Sequence, residues 1–204
     1  MFSILIPTWD NFKYLKTCVE SLQEHSGFRH QLLVHVNGAD KETIAYLKAN
    51  EIEHTQSAEN IGICKALNLL ASKATQNYLV YMNDDMYALP KWDMILIKEI
   101  EDLGTDDFYL SATMIEPTKG GHNCMISPYD YGDLEKGFDL KKLISEFDSI
   151  PFHDWNGASW PPSIVHKKWW NAVGGYSEEF SPGLYSDPDF SMKLWNIGVR
   201  FFKG

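Results

Sequence analysis

A chain of 204 residues, 44% of them apolar, is long enough for one domain with a sizeable core. Its formal net charge of -10 excludes a sequence-independent grip on nucleic-acid phosphates, although a local basic pocket for one nucleotide stays open. Cys18, Cys64 and Cys124 are widely spaced and odd in number, so no disulfide or zinc framework follows, and a reducing, cytoplasmic setting is expected.

The opening Met-Phe-Ser-Ile-Leu-Ile-Pro lacks a basic leader and is too short for a signal sequence. No stretch approaches the ~20 apolar residues of a membrane helix, which leaves peripheral contact with the inner face of a membrane open. Phe2 to Ile6 reads as a central strand stopped by Pro7, with Asp10 or Asn11 able to cap a helix from Phe12 to His25. Gln31 to Val36 is a second strand closed by Asn37-Gly38, Lys41 to Asn50 a second helix, and Glu53 to Gln56 a short third strand. A helix over Ile63 to Ala74 is entered through Asn60-Ile61-Gly62. A fourth strand begins at Tyr78 and ends abruptly in Asn83-Asp84-Asp85. This alternation predicts a parallel, doubly wound sheet over the N-terminal part.

After Pro90 the pattern predicts a helix from Trp92 to Leu103 and a strand from Phe108 to Ile115. Residues 117–137 are rich in Gly, Pro, Asn, Asp and Tyr without a period, which is the texture of a functional or mobile loop. A short helix over Leu140 to Phe147, a strand over Ser163 to His166 and a helical stretch over Lys167 to Val173 follow. Tyr185 to Phe190 leads into a helix with Asp187 at its N-cap, Pro188 in its first turn and Phe190, Leu194 and Ile197 on one face. Arg200 to Phe202 begins a final strand.

Ligands of open α/β sheets sit just beyond the carboxyl ends of the strands, which puts Asn83, Asp84 and Asp85 at the rim. Adjacent carboxylates repel, and a divalent cation held by hard oxygens, with a phosphate-bearing ligand completing its shell, relieves that charge. The bland alternative is an acidic turn closing a strand. The histidines scatter over different elements and form no metal cluster.

The order of these motifs resembles a family 2 glycosyltransferase of the GT-A fold. The resemblance rests on Ile4-Leu5-Ile6-Pro7-Thr8, on Val36-Asn37-Gly38-Ala39-Asp40, and on Asn60, Gly62, Ala66 and Asn68 of an Asn-x-Gly-x-x-x-Ala-x-Asn pattern. It continues through Asn83-Asp84-Asp85, Pro90 and Trp92, Gly174-Gly175-Tyr176-Ser177-Glu178-Glu179-Phe180, and Ser186-Asp187-Pro188-Asp189, and so covers residues 2–204. It implies an inverting transfer of sugar from a nucleotide donor, UDP- or GDP-linked, to a saccharide, lipid-linked or protein hydroxyl, as in polysaccharide assembly. It also implies Mn2+ or Mg2+ as cofactor. Residues 1–103 would form the nucleotide-sugar half, and 104–204 the acceptor-side half.

On this reading Asp85, with Asp84, holds the metal, while Asn83 or Asp84 can accept from ribose hydroxyls. Pro7, Thr8 and Trp9, with Asn37 and Asp40, are placed to hold the base, and Asn60 and Gly62 complete the donor site. Trp9 can stack on the base or pack in the core. Asp187 serves as general base or as helix cap, roles that do not exclude each other, with Asp189 as the other candidate acid. Trp155 and Trp160 can stack on pyranose rings or pack internally, and His153 and Asp154 precede them. Lys65 can meet phosphate or solvent.

Several positions depart from the family pattern. Asn83 stands where Asp is common, and Ser186 where Glu precedes the catalytic Asp. Relatives often continue with a His that joins the metal shell, and none follows His166. These departures keep a catalytically silent sugar-nucleotide or glycan-binding module in view. A nucleotidyltransferase is a further alternative, but the loop Pro7 to Asn11 lacks the glycines and basic residues that grip a triphosphate.

Overall fold

A computed structural model describes residues 1–120, 123–154, 157 and 160–203. In chain order the first part comprises β1 (Phe2–Trp9), α1 (Phe12–His25), β2 (Gln31–Asn37), α2 (Lys41–Ala49), β3 (Glu53–Gln56), α3 (Gly62–Lys73), β4 (Tyr78–Tyr81) and α4 (Trp92–Leu103). Then come β5 (Phe108–Ser111), the two-residue strands β6 (Met114–Ile115), β7 (Met125–Ile126), β8 (Gly132–Asp133) and β9 (Gly137–Phe138), and α5 (Leu140–Glu146). The chain closes with β10 (Ser163–His166), α6 (Lys167–Val173), α7 (Ser186–Asn196) and β11 (Arg200–Lys203).

The central sheet has seven strands in the order β11-β5-β10-β4-β1-β2-β3. All run parallel except β10, which is antiparallel to both β4 and β5. This is the mostly parallel, helix-flanked α/β architecture the strand–helix alternation predicted. Apolar residues occupy both faces of β1, as a strand covered on both sides requires. Phe2, Ile4 and Ile6 pack with Leu15, Cys18, Val19 and Leu22 of α1 and Leu96 and Ile100 of α4. Leu5 faces the other layer, with Cys64, Leu67 and Leu70 of α3, Trp170 of α6, and Phe190 and Leu194 of α7.

Strand order steps outward from β1 through β2 to β3, and then returns to the other flank of β1 with β4. The crevice at the carboxyl ends of β1 and β4 is therefore the switch point of the sheet, where α/β folds bind ligands.

Pro7 does not stop β1, which runs on to Trp9 with Pro7 opposite His35 of β2. The Leu5 carbonyl faces β4 and accepts from Met82 N–H at 3.1 Å. Strand residues alternate in direction, so Pro7 turns its missing N–H to that same side, past the last paired residue of β4. The strand expected over Phe108 to Ile115 is divided. Ala112 N–H turns away to the Pro162 carbonyl at 2.8 Å, and Met114–Ile115 pairs with Met125–Ile126 instead.

Residues 117–137 contain more order than their composition suggested. Tyr131, Leu143 and Ile150 form a small core of their own, against which Ile126, Tyr129, Phe138 and Phe147 pack. Lys13 of α1 ties this region to the sheet through the Leu134 carbonyl, with Glu135 at 3.3 Å.

Away from the rim, Asp93 is fully buried at the start of α4. It accepts from the N–H groups of Gly27 and Phe28, each at 2.9 Å, and pairs with His30 Nε2 at 2.9 Å. His30 Nδ1 accepts from Phe2 N–H at 3.1 Å, so the imidazole is the neutral Nε2–H tautomer. No helix among the described residues is long and apolar enough to cross a membrane.

Candidate active site

The rim of the crevice is built from the ends of β1, β2 and β4. Thr8, buried near the end of β1, donates its hydroxyl to Asp84 Oδ2 at 2.5 Å. The Asn11 side chain also hydrogen-bonds Asp84, so Asn11 serves the acidic turn rather than capping α1 through its side chain. Burial pushes the Asp84 carboxyl above its usual range. The bonds from Thr8 and Asn11 oppose this, and the neighbouring Asp85 adds to it. Trp9, just beyond, is 59% exposed, and Gly38 stands beside its ring. An exposed Trp at a strand end has no core role, and a flat face there suits a planar ligand.

Asn37 is buried, and its Oδ1 accepts from Ile61 N–H at 2.9 Å. Asn60 Oδ1 accepts from Gly62 N–H at 2.8 Å. Asn37, Asn60 and Gly62 are thus brought together as one braced turn. Asp40 stands apart as the N-cap of α2, accepting from Glu42 N–H at 3.0 Å, from Thr43 N–H at 3.3 Å and from the Thr43 hydroxyl. Its carboxylate is occupied by the helix start.

Asp85 is exposed and points into a cavity of about 270 Å³, which it lines with Asn83, Met86, Met114, Glu116, Trp160 and Pro161. Burial raises the Glu116 carboxyl, and Asp85 raises it further. The polar lining of this cavity beside the strand end consists of oxygen donors that suit a hard divalent cation. Among the described residues no group of three His, Cys, Asp or Glu side chains is arranged to hold a metal. Asp84 is already engaged by Thr8, so the residues present fit a cation gripped through Asp85, with ligand phosphate and water supplying most of its shell.

Asp187 lies in the first turn of α7 and is not its cap. Tyr185, in the left-handed region at φ 65°, takes the N-cap position, and the helix starts two residues earlier than expected. Asp187 Oδ1 instead accepts from the Tyr176 hydroxyl at 2.8 Å. Burial raises the Asp187 carboxyl, and the Tyr176 bond opposes that. Asp189 accepts from the Ser177 hydroxyl at 2.6 Å. Phe190 and Leu194 are buried as expected, whereas Ile197 is 43% exposed because the helix has ended at Asn196.

The C-terminal motifs dock on α3. Asn68 Nδ2 donates to the Tyr176 carbonyl at 2.8 Å, and its Oδ1 accepts from Tyr176 N–H at 2.9 Å. Ile63 N–H donates to the Pro182 carbonyl at 3.0 Å, and the Ser181 hydroxyl to the Ile61 carbonyl at 3.2 Å. The Tyr81 hydroxyl, raised first by burial, is raised further by Asp187, Asp85 and Asp84, which places these acids around one end of β4.

A family model described as glycosyl transferase family 2 matches residues 3–170. The chain belongs to this family. The match covers most of the sequence and includes the strand ends and acidic turn described above. Among solved structures, the TarS 1-349 protein of S. aureus superposes with a TM-score of 0.72 at 16% identity, over 100% of this chain and 57% of that one. Its complex with UDP gives 0.70 over 57% of that chain, and its complex with UDP-GlcNAc 0.69 over 55%, each at 16% identity. This chain thus spans little more than half the length of those TarS chains. No curated protein matches it in sequence. The fold is GT-A.

Of the remaining candidates, Lys65 sits 3.8 Å from Glu178 on the surface, away from the acidic turn. His153 and Asp154 are exposed, Trp160 lines the cavity, and Trp155 lies outside the described residues. Glu116 gave no signal in the sequence. It is a single acid in a stretch without period, and only the three-dimensional path of β6 brings it opposite Asp85.

Proposed function

We propose that this chain is a glycosyltransferase that moves a sugar from a nucleoside diphosphate donor to an acceptor hydroxyl by a single, metal-dependent, inverting displacement. The observation that carries the reading is the convergence of Asp84, Asp85 and Asp187 on the end of β4, beside a cavity lined by Asp85, Asn83 and Trp160. The UDP and UDP-GlcNAc complexes of TarS make a UDP-sugar the first donor to try.

Trp9 and the Asn37 turn would receive the base, and Thr8 and Asp84 the ribose end. A cation held at Asp85 would supply Lewis-acid neutralisation of the diphosphate. Asp187 would take the proton from the acceptor hydroxyl as that oxygen attacks the anomeric carbon. The bond to the diphosphate then breaks, and the bonding pair leaves with the phosphate oxygen. The raised carboxyl of Asp187 suits a base that must hold a proton briefly. The acceptor in this reading is a saccharide, lipid-linked or protein hydroxyl, and Trp160 offers a flat face at the cavity mouth.

The experiment is release of UDP and sugar from UDP-GlcNAc with Mn2+, in wild type and Asp187→Asn. Loss of general-base catalysis slows the reaction by roughly 10²–10⁴-fold. Donor affinity should be preserved, since the donor groups belong to other strands. Metal-linked binding of every UDP- and GDP-sugar tried, with no sugar released by the wild type, would establish the silent binding module instead.

A further inference from the structure

Behind Asp187 lie buried hydroxyls that the displacement just described does not use. The Tyr176 hydroxyl donates to Asp187 Oδ1 at 2.8 Å, and the Tyr109 hydroxyl is close enough to feel both groups. The Tyr109 hydroxyl donates to Ser163 Oγ at 3.0 Å. Tyr176, Tyr109 and Ser163 are 2%, 1% and 3% exposed, and they come from the turn after α6, from β5 and from the start of β10.

Packing alone does not call for hydroxyls at these positions. The Tyr176 ring stacks on Phe190 at 4.5 Å and 6°, and meets Tyr81 edge-on at 6.1 Å. A phenylalanine would keep both contacts. A buried phenol is costly unless it is paired. A buried phenol paired with a buried carboxylate is therefore a polar unit, not an incidental core contact.

We propose that Tyr176 is a positioning residue for glycosyl transfer: its hydroxyl fixes the Asp187 carboxylate in one orientation, occupies Oδ1, and leaves Oδ2 to take the acceptor's proton. This rests on the reading of Asp187 as the general base. An ionised carboxylate can only accept, so the one O–H of Tyr176 is committed to Asp187. A dipole aimed in this way supports the anion where burial opposes it.

The titratable groups facing Asp187 are Tyr81 of β4, Tyr109 of β5, Cys64 of α3 and Tyr176. Burial raises each of them, so all are neutral near pH 7. Asp187 makes no ion pair among the described residues. A Lys or Arg in this place would hold the anion at the expense of its basicity, whereas a hydroxyl orients it and leaves it basic.

The test is a carboxyl titration by NMR on the full chain labelled at aspartate Cγ, with the Asp187 resonance assigned by its loss in Asp187→Asn. No donor is needed. In Tyr176→Phe the Asp187 midpoint should move up. In Tyr109→Phe, which leaves the Tyr176 bond in place, it should move up by less. The acidic limb of UDP release from UDP-GlcNAc with Mn2+ should move with it, since each pH unit of rise costs a factor of ten in the basic form below the midpoint.

An unmoved Asp187 midpoint in Tyr176→Phe overturns the positioning role, even if Asp187→Asn abolishes turnover. A moved midpoint in a protein whose Asp187→Asn variant turns over normally overturns the base reading, and the positioning role with it. Should Tyr176→Phe fail to fold, wild type grown with 3-fluorotyrosine carries the comparison: its more acidic O–H donates more strongly, so the Asp187 midpoint should move down, and an unmoved midpoint overturns the positioning role.

Discussion

Gly62 and Ser181 fill one another's space. A Cβ added to Gly62 would lie 2.0 Å from Ser181 Oγ, 3.3 Å from Ser181 Cβ and 3.1 Å from Pro182 Cα, and Gly62 holds φ at +79°. The turn that opens α3 and the segment leading to Asp187 are therefore packed backbone to backbone. Gly62→Ala should destabilise the protein by about 1–3 kcal/mol from its backbone conformation alone. Adding Ser181→Gly should recover only part of this, since it removes the hydroxyl clash but neither the Pro182 contact nor the φ strain. Denaturant midpoints of the two variants check this, and full recovery in the double variant would show that the side-chain clash was the whole effect.

Asn68 holds the backbone of Tyr176 from both sides, through one donor and one acceptor. Asn68→Ala would leave a buried N–H and carbonyl without partners and should cost roughly 2 kcal/mol or more. Asn68→Asp keeps the acceptor for Tyr176 N–H and loses only the donor, so it should fall between the two. Unfolding by urea orders the three proteins, and equal stability of wild type and Asn68→Ala would remove the clamp from the account.

Asp85 is exposed, and its side chain makes no hydrogen bond or ion pair among the described residues, so Asp85→Ala should fold normally. Its donor binding should lose its dependence on Mn2+. Glu116→Gln, which removes the second acid facing the cavity, should weaken Mn2+-dependent binding less than Asp85→Ala does. Calorimetric titration of UDP with and without Mn2+ separates these outcomes. Undiminished metal dependence in Asp85→Ala would place the cation elsewhere.

Stability should fall as pH drops below about 6.5. Burial holds the imidazoles of His30 and His35 below their usual 6.5. Between pH 6.5 and those lower values the unfolded chain binds more protons than the folded one, so stability rises with pH across that window. Burial alone would raise Asp93, but the bonds from Gly27 N–H, His30 and Phe28 N–H outweigh it and hold the carboxyl below its usual 3.8. That group adds a loss of its own only below about pH 3.8. Denaturation at pH 7.5 and 5.5 should show the decline, and His30→Gln/His35→Gln should show a flatter slope at lower stability throughout.

Much of the fold was legible because its elements carry complete local signals. The helix over Trp92–Leu103, the strand over Ser163–His166 and the helix over Lys167–Val173 were read at the bounds they have. Pro7 misled because a missing N–H matters only where a neighbour needs it, and the extent of β4 is not a local property. Asp187 looked like a cap from its place before Pro188. The cap position went to Tyr185, whose left-handed backbone no local pattern announces, and this freed Asp187 to face Tyr176. Asn60, Gly62 and Asn68 drew attention as a donor motif, and in the fold Asn68 and the Ile61–Gly62 turn also brace the C-terminal segment, through partners more than 100 residues away. Glu116 had no signal because its importance is purely one of juxtaposition.

The reversed strand β10 carries a consequence for how this molecule can vary. Because β10 runs against β4 and β5, the chain that leaves the sheet after Ser111 re-enters it at Ser163, the residue paired with Ser111. Ala112 N–H to the Pro162 carbonyl, and the Ser111 hydroxyl to the Trp160 carbonyl at 2.6 Å, fasten the two ends together. Residues 112–162 are thus a cassette with a closed neck, inserted beside the cavity and leaving the register of every other strand untouched. Lengthening or shortening such an excursion alters closure entropy only slowly, by about 0.6 kcal/mol per doubling of loop length. One sheet can therefore carry excursions of very different size and lining, and under the proposed function exchanging that single piece is the shortest route to a changed acceptor.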